Sequence, residues 1–301
     1  MPSISMSDML TVMYVLVDDW WRGQPARPAK RGPQAVCSDS EVLTLMLAQD
    51  LVPFPGEAQF LGYVRANHRD LFPRLLTQSQ FNRRSRGLRL ELECFRREVL
   101  ARLGVLREVD FLLDTKPVPV LGYKRSKART DFAGSAAYGV CPGRGLKYYG
   151  YKLVALVTPQ GIPAVYDLVP ADLHDRPAAE AVVVHVRGCD LLGDKAFLSA
   201  DGQAWLAART GNRLYTPKKA NQLQRQAPAF ERWLHSTRQR IEGAFHELQN
   251  TGRNLERLRA KTLVGLCTRV CAKLASHALR LLLRQTMHID IQTFTFQVRP
   301  A

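Results

Sequence analysis

The feature that most limits what this chain can fold into is a change of hydrophobic period at Gly104. Before it, apolar residues recur at helical steps; after it, short β-prone runs alternate with helical stretches. Ser38-Asp39-Ser40-Glu41 and Thr77-Gln78-Ser79-Gln80 read as capping boxes, in which a hydroxyl and a side chain three residues on satisfy orphan N–H groups reciprocally. The first opens a helix over Glu41–Leu51 that stops before Pro53 and Pro55. The second opens a helix whose apolar stripe is Phe81, Leu88, Leu92, Phe95, Val99 and Leu103, with Gly104 ending it. Arg83, Arg84, Arg86, Arg89, Arg96 and Arg97 fall mainly off that stripe and give the helix a basic outer face. Such a face suits a phosphate backbone or a major groove, as in helix-turn-helix proteins, although no specific signature of that motif is present.

Past Gly104, Val109–Asp114 reads as a short strand, and Pro117 and Pro119 are expected to stop it. Residues 121–147, rich in Gly, Ser and basic side chains, read as a mobile basic loop or hairpin. Tyr148–Thr158 and Ile162–Val169 form a β-hairpin around Pro159-Gln160-Gly161. A helix over Pro177–Val186, a strand at Asp190–Gly193, a helix at Ser199–Arg209 and a strand at Arg213–Thr216 follow. Pro228 opens a long helix to about Asn250, and another runs from about Leu263 to Arg284. This order predicts mixed α/β architecture with a central sheet flanked by helices, preceded by an all-α domain. The expected domains are 1–107, helical and DNA-binding; 108–287, catalytic; and 288–301, a tail.

Charge adds a partner. The 301 residues carry 43 Lys and Arg against 27 Asp and Glu, a net charge of +16. Segments 74–107, 116–152 and 218–261 hold net charges of +6, +7 and +6, whereas 153–217 holds −2. Basic blocks around a mildly acidic centre fit a polyanion held against a site that needs carboxylates. A content of 46% hydrophobic and 23% charged residues excludes disorder and fibrous repeats. No run approaches the ~18 apolar residues of a membrane span, and Met9–Val17 lacks the basic leader of a signal peptide. Six cysteines without CxxC spacing read as reduced thiols; Cys267 and Cys271, at i,i+4, read as core residues because no second ligand pair follows. The expected location is cytoplasmic. No phosphate-cradling glycine loop and no Gly-x-Ser-x-Gly elbow is present, which argues against nucleotide hydrolysis and serine hydrolase chemistry.

Three acids stand where chemistry would want them. Asp114 closes Leu-Leu-Asp-Thr and Asp194 follows an apolar run in Leu-Leu-Gly-Asp-Lys-Ala-Phe, which places both at the carboxyl edge of a sheet. Glu242 flanks the core stripe Phe230, Leu234, Ile241, Phe245 and Leu248 of its helix, and lies on a polar ridge with His235, Arg238, His246 and Gln249. Converging carboxylates repel unless a cation joins them, and hard oxygen ligands select Mg²⁺ or Mn²⁺. Two such ions ~3.5–4 Å apart clamp the attacking and leaving oxygens of a phosphodiester. Arg238 and Lys195 are candidate phosphate ligands, and Lys124, Arg125, Lys127 and Arg129 form a basic arm for DNA. Trp205 and Trp233 read as packing residues, and Asp110, Asp172, Asp175 and Asp190 as solvated or paired acids.

Asp-Thr-x-Pro at 114, Gly-Asp-Lys-Ala-Phe at 194 and Arg-x-x-Ile-Glu at 238–242, 80 and then 48 residues apart at their acids, resemble the signature blocks of DDE transposases of bacterial insertion sequences. Ser79-Gln80-Phe81-Asn82-Arg83-Arg84 also resembles members of that group. The resemblance spans about 38–285. It implies an RNase H-like catalytic domain and catalytic, metal-binding roles for Asp114, Asp194 and Glu242. It further implies two Mg²⁺ ions, with Mn²⁺ an alternative, cleavage at element ends, and attack of the freed 3′-OH on target double-stranded DNA. Many relatives show a Tyr–Arg–Glu–Lys pattern on the third helix; here His235 stands for the Tyr and Gln249 for the Lys. A homodimer on DNA, associated with the bacterial nucleoid, is the expected working form. The rival readings are a nuclease of this fold without strand transfer and a catalytically silent DNA-binding repressor.

Overall fold

The structure, a computed structural model, describes residues 4–25, 35–54, 56–125, 127–141, 145–194, 197, 200–217 and 227–289. The chain packs as two units: Met1–Leu103 with Asn250–Asn254 and Val264–Ala301, and Gly104–Gln249 with Leu255–Leu263. The C-terminal helix, placed by the sequence with the catalytic part, packs with the N-terminal helices.

The first unit is all-α. It holds α1 (Met6–Arg22), α2 (Asp39–Gln49), α3 (Glu57–Asn67), α4 (Gln78–Gly87) and α5 (Arg89–Arg102), with α9 (Leu263–Met287) returning from the far end of the chain. Both capping boxes form: Glu41 N–H donates to Ser38 Oγ at 3.1 Å, and Thr77 N–H donates to Gln80 Oε1 at 3.0 Å. The helix expected to run unbroken from Gln78 to Leu103 is two helices. Gly87 contributes nothing to packing and weakens the helix interior, and Leu88 serves as both C-cap and N-cap with φ −99° and ψ 14°. The stripe survives the break, since Phe81, Leu88, Leu92, Phe95 and Val99 are all buried. Arg96, expected on the basic outer face, is instead buried at 3% exposure and paired with Glu93 at 2.8 Å. Arg253 fastens the 250–254 segment through a buried ion pair with Asp50, Nε to Oδ1 at 3.0 Å.

The second unit is built on one six-stranded mixed sheet: β1 (Asp110–Leu121), β2 (Ala137–Cys141), β3 (Leu146–Val157), β4 (Pro163–Pro170), β5 (Asp190–Leu192) and β6 (Arg213–Tyr215). β3 pairs antiparallel with β1 along one side; on the other, β2 takes its first half and β4 its second. β5 runs parallel to β1, and β6 parallel to β5. The β3–β4 hairpin turns where expected, with Gly161 at φ 87°, a conformation a side chain would strain. α6 (Asp175–Val183) and α7 (Ala200–Thr210) cover one face, where Ala178, Val182, Val183 and Leu206 pack on Phe111, Leu113, Leu191 and Val154. α8 (Pro228–Asn250) begins beside β6, with the Phe230 ring 5.7 Å from that of Tyr215, and brings Ala244 to the Gly161 turn.

The prolines do not stop β1. Pro117 and Pro119 lie inside the ladder with β3, opposite Lys152 and Gly150. The parallel ladder to β5 ends at Leu112, so this half of β1 is bonded to β3 alone, and a residue lacking an N–H is tolerated on such an edge. Asp114 therefore stands within a long strand, not at the end of a short one. Residues 121–125 and 127–141 are also more ordered than a mobile arm. Phe132 is fully buried, and the Lys127 ammonium donates to the carbonyls of Gly122 and Tyr123 at 2.9 and 2.6 Å, and to that of Arg125. No helix among the described residues is long and apolar enough to cross a membrane.

Candidate active site

Asp114 and Asp194 are placed by the same ladder. Leu112 of β1 and Leu192 of β5 are partners in the parallel register, and each acid lies two residues beyond its leucine. Neighbouring strands run about 5 Å apart, and Asp194 lies just past the end of β5, the strand next to the one that carries Asp114. Asp114 shares the strand face of Leu112, opposite the face of Phe111 and Leu113 that packs under α6 and α7. Both acids are half-buried. Asp114 Oδ1 accepts from the Thr115 N–H at 2.7 Å.

Local packing explains the Gly-Asp-x-x-Phe pattern. Gly193 N–H donates to the Tyr215 carbonyl at 2.9 Å, which carries the alignment one residue past β5. A Cβ on Gly193 would press on the Phe197 and Leu214 side chains, at 3.1 and 3.4 Å. Phe197 is buried in the core and its N–H donates to the Asp194 carbonyl at 3.0 Å. The glycine thus lets the phenylalanine seat, and the phenylalanine fixes the turn that carries Asp194.

Glu242 lies on the exposed side of α8 with His235 and His246, with Gln249 partly buried, while Leu234, Thr237, Ala244, Phe245 and Leu248 are buried. The expected polar ridge and core stripe are thereby separated by burial. The side chains of Arg238 and Ile241, and all of Lys195, lie outside the described residues. Among the described residues no three His, Cys, Asp or Glu side chains are grouped closely enough to hold a metal ion. The structure places Asp114 within β1 and Asp194 two residues beyond the end of β5, and Glu242 on a separate element, α8.

The donor set nevertheless suits a hard cation. Two half-buried carboxylates at one sheet edge supply oxygen ligands of the kind Mg²⁺ and Mn²⁺ take. Two other acids of the unit are engaged: Asp190 of β5 holds Arg213 through contacts of 2.7 and 2.9 Å, and Asp175 of α6 holds Lys152 of β3 at 2.9 Å. Asp110, beside Asp190 at the opposite end of the ladder, has its carboxyl pushed up by burial and then by Glu108 and Asp190.

The basic candidates differ in availability. Arg83, Lys124, Arg125 and Arg129 are exposed. Arg84 is engaged with Asp39 and with the Cys37 carbonyl, the latter at 3.1 Å, and Arg86 Nε donates to the Asn82 carbonyl at 3.4 Å. Sequence reasoning passed over Tyr123, Tyr138 and Tyr149, whose rings meet only because β2 pairs with β3. No spacing in the sequence announces that contact.

The fold is an α/β domain that carries Asp114 within β1 and Asp194 just past the end of the neighbouring parallel strand β5. The family model described as transposase DDE domain matches residues 107–279, more than half of the chain, and the chain belongs to that family. Membership makes DNA cleavage in transposition the general class of activity. No curated protein and no solved structure matches the chain significantly.

Proposed function

We propose that the protein is a Mg²⁺-dependent transposase. It hydrolyses phosphodiester bonds at the ends of an insertion sequence, then joins the freed 3′-OH to target DNA. The observation that carries this reading is the parallel β1–β5 register, with Asp114 and Asp194 each two residues beyond the partnered Leu112 and Leu192. It is supported by family membership and by a strand order, β4-β3-β1-β5-β6 with β1, β5 and β6 parallel, that suits the RNase H-like domain the sequence implies.

In this reading Asp114 and Asp194 hold the cations, with Glu242 from α8 as the third acid. When bound, the ions supply Lewis acidity and a water acidic enough to act as nucleophile. The chain's own residues position the DNA. Arg238 and Lys195 grip phosphates near the acids, and His235 and Gln249 hydrogen-bond the backbone further along α8. Arg83 and Arg86 of the helical unit and Lys124 and Arg125 of the β1–β2 connection add sequence-independent affinity, with Arg84 joining once its Asp39 pairing yields. Joining two element ends calls for two active sites, so the working form is a homodimer on DNA at the bacterial nucleoid.

The test uses supercoiled DNA carrying the element ends that flank the coding region. Mg²⁺-dependent nicking with joined products supports the reading. Nicking without joined products indicates a nuclease of the same fold, and binding without nicking indicates a repressor.

A further inference from the structure

A second candidate surface lies in the sheet unit, away from the carboxylates. Tyr138 of β2 and Tyr149 of β3 are cross-strand partners, with ring centroids 5.0 Å apart at 64°. Tyr123 extends the row, its ring 5.3 Å from that of Tyr138. Lys127 Nζ lies 5.4 Å from the centroids of both Tyr138 and Tyr149. Beside the rings opens a groove of about 620 Å³ whose remaining wall is made of small residues, among them Ala128, Ala133, Gly134 and Ala137, together with Asp172.

This surface is unlike a solvated loop in three ways. Tyr123 and Tyr138 are 45% and 53% exposed, so two large rings meet solvent where packing would be expected to hide them. Lys127 is tied to backbone carbonyls and to the ring row, which holds the cation in place. Lys124, Arg125 and Arg129 of the β1–β2 connection and Lys147 of β3 are exposed, against Asp131 and the groove-lining Asp172. The surface therefore combines aromatic rings, small walls and an excess of positive charge.

We propose that this groove binds unpaired nucleotides of DNA. Bases stack on Tyr138 and Tyr123, and phosphates are held by Lys124, Arg125, Arg129 and Lys147. A duplex buries its base faces in its own stack, so exposed rings have most to gain from a strand whose bases are free. The hairpin cations alone would serve either form. Along β3, Tyr149 is six residues from Ala155, the partner of Asp114, which sets the groove roughly 20 Å from that carboxylate. The strand held here is thus one continuing from the DNA being processed. The inference rests on the transposase reading for the nature of the polymer and deepens it.

The test is an anisotropy titration of the full chain with a labelled oligothymidylate of about a dozen nucleotides, in chelator so that no cleavage occurs. Tyr138→Ala and Tyr123→Ala should each weaken binding about tenfold, and Tyr138→Phe should keep it, because the ring is retained. Affinity for a blunt duplex of equal length should change less than about twofold. Absence of oligothymidylate binding by the unaltered chain, no effect of the alanine variants, or an equal loss on duplex would each overturn the proposal. A lower melting temperature in the alanine variants with full binding by Tyr138→Phe still discriminates, since the phenylalanine variant keeps the packing. Failure of the transposase reading registers separately, in the nicking assay, which this titration does not involve.

Discussion

Leu112 and Leu192 are partners across the parallel β1–β5 ladder, and Asp114 and Asp194 each follow two residues later, Asp114 within β1 and Asp194 beyond the end of β5. That correspondence joins two sequence blocks 80 residues apart into one edge of one sheet. It arises from ordinary packing: Leu191 and Phe111 hold the strands under α6 and α7, and Phe197 anchors the turn after Asp194.

The register of β1 depends on close approach at Gly150. A Cβ there would enter the backbone of β1 at the Val118 carbonyl, with the Pro119 Cα 3.1 Å away. Neither contact is a flexible side chain, so relief requires the strands to part. Gly150→Ala should cost about 2–3 kcal/mol in urea unfolding, and DNA nicking should fall with it as β1 shifts.

Lys273 provides a pH signature. Burial lowers its ammonium to about 8, with Asp50 opposing that shift and Arg253 adding to it. Between pH 8 and 10.5 the unfolded chain holds this proton and the folded chain does not, so the contribution to stability rises with pH across that window. Below pH 8 the cost of burying the charge is felt in full. The Cys37 thiol and the Tyr148 phenol, both pushed up to about 12 chiefly by burial, act in the opposite sense at alkaline pH. Comparison with Lys273→Met cancels them. The stability of the natural chain relative to that variant should increase by about 3 kcal/mol from pH 8 to 10.5, measured by urea unfolding at fixed salt.

Arg83 and Arg84 are adjacent but should behave differently. Arg83 is exposed; Arg84 holds Asp39 and the Cys37 carbonyl. Arg83→Ala should leave stability within about 0.5 kcal/mol, weaken duplex binding, and reduce the slope of affinity against salt by about one. Arg84→Ala should destabilise the helical unit by about 1 kcal/mol. Titrations at several salt concentrations together with thermal melts separate the two.

Elements whose signals are local were legible in the sequence. The long helix Pro228–Asn250, the hairpin at Gly161 and both capping boxes depend on residues within a few positions of one another, and all formed as expected. Features that depend on distant neighbours were not. Pro117 and Pro119 argue against a central strand, and nothing nearby reveals that β5 ends at Leu192, opposite Leu112, and leaves them on an edge. Helical period cannot by itself show the break at Gly87, because the stripe continues through it. The partnership of α9 with the N-terminal helices is held by contacts such as Ser276 Oγ to the Leu47 carbonyl at 2.8 Å, more than two hundred residues apart in the chain. Asp114 and Asp194 were legible because each follows an apolar run; the pairing of those two runs is visible only in the ladder.

The account stands on Asp114 and Asp194 acting as one cation site. A spin-resonance titration with Mn²⁺ tests this directly, using Asp114→Asn, Asp194→Asn and the double variant. Each single change should weaken Mn²⁺ binding on the order of tenfold to a hundredfold, and the double variant should lose little more than either single, because both changes remove the same site. Unchanged Mn²⁺ affinity in both single variants, or losses that simply add in the double variant, would contradict a shared ion.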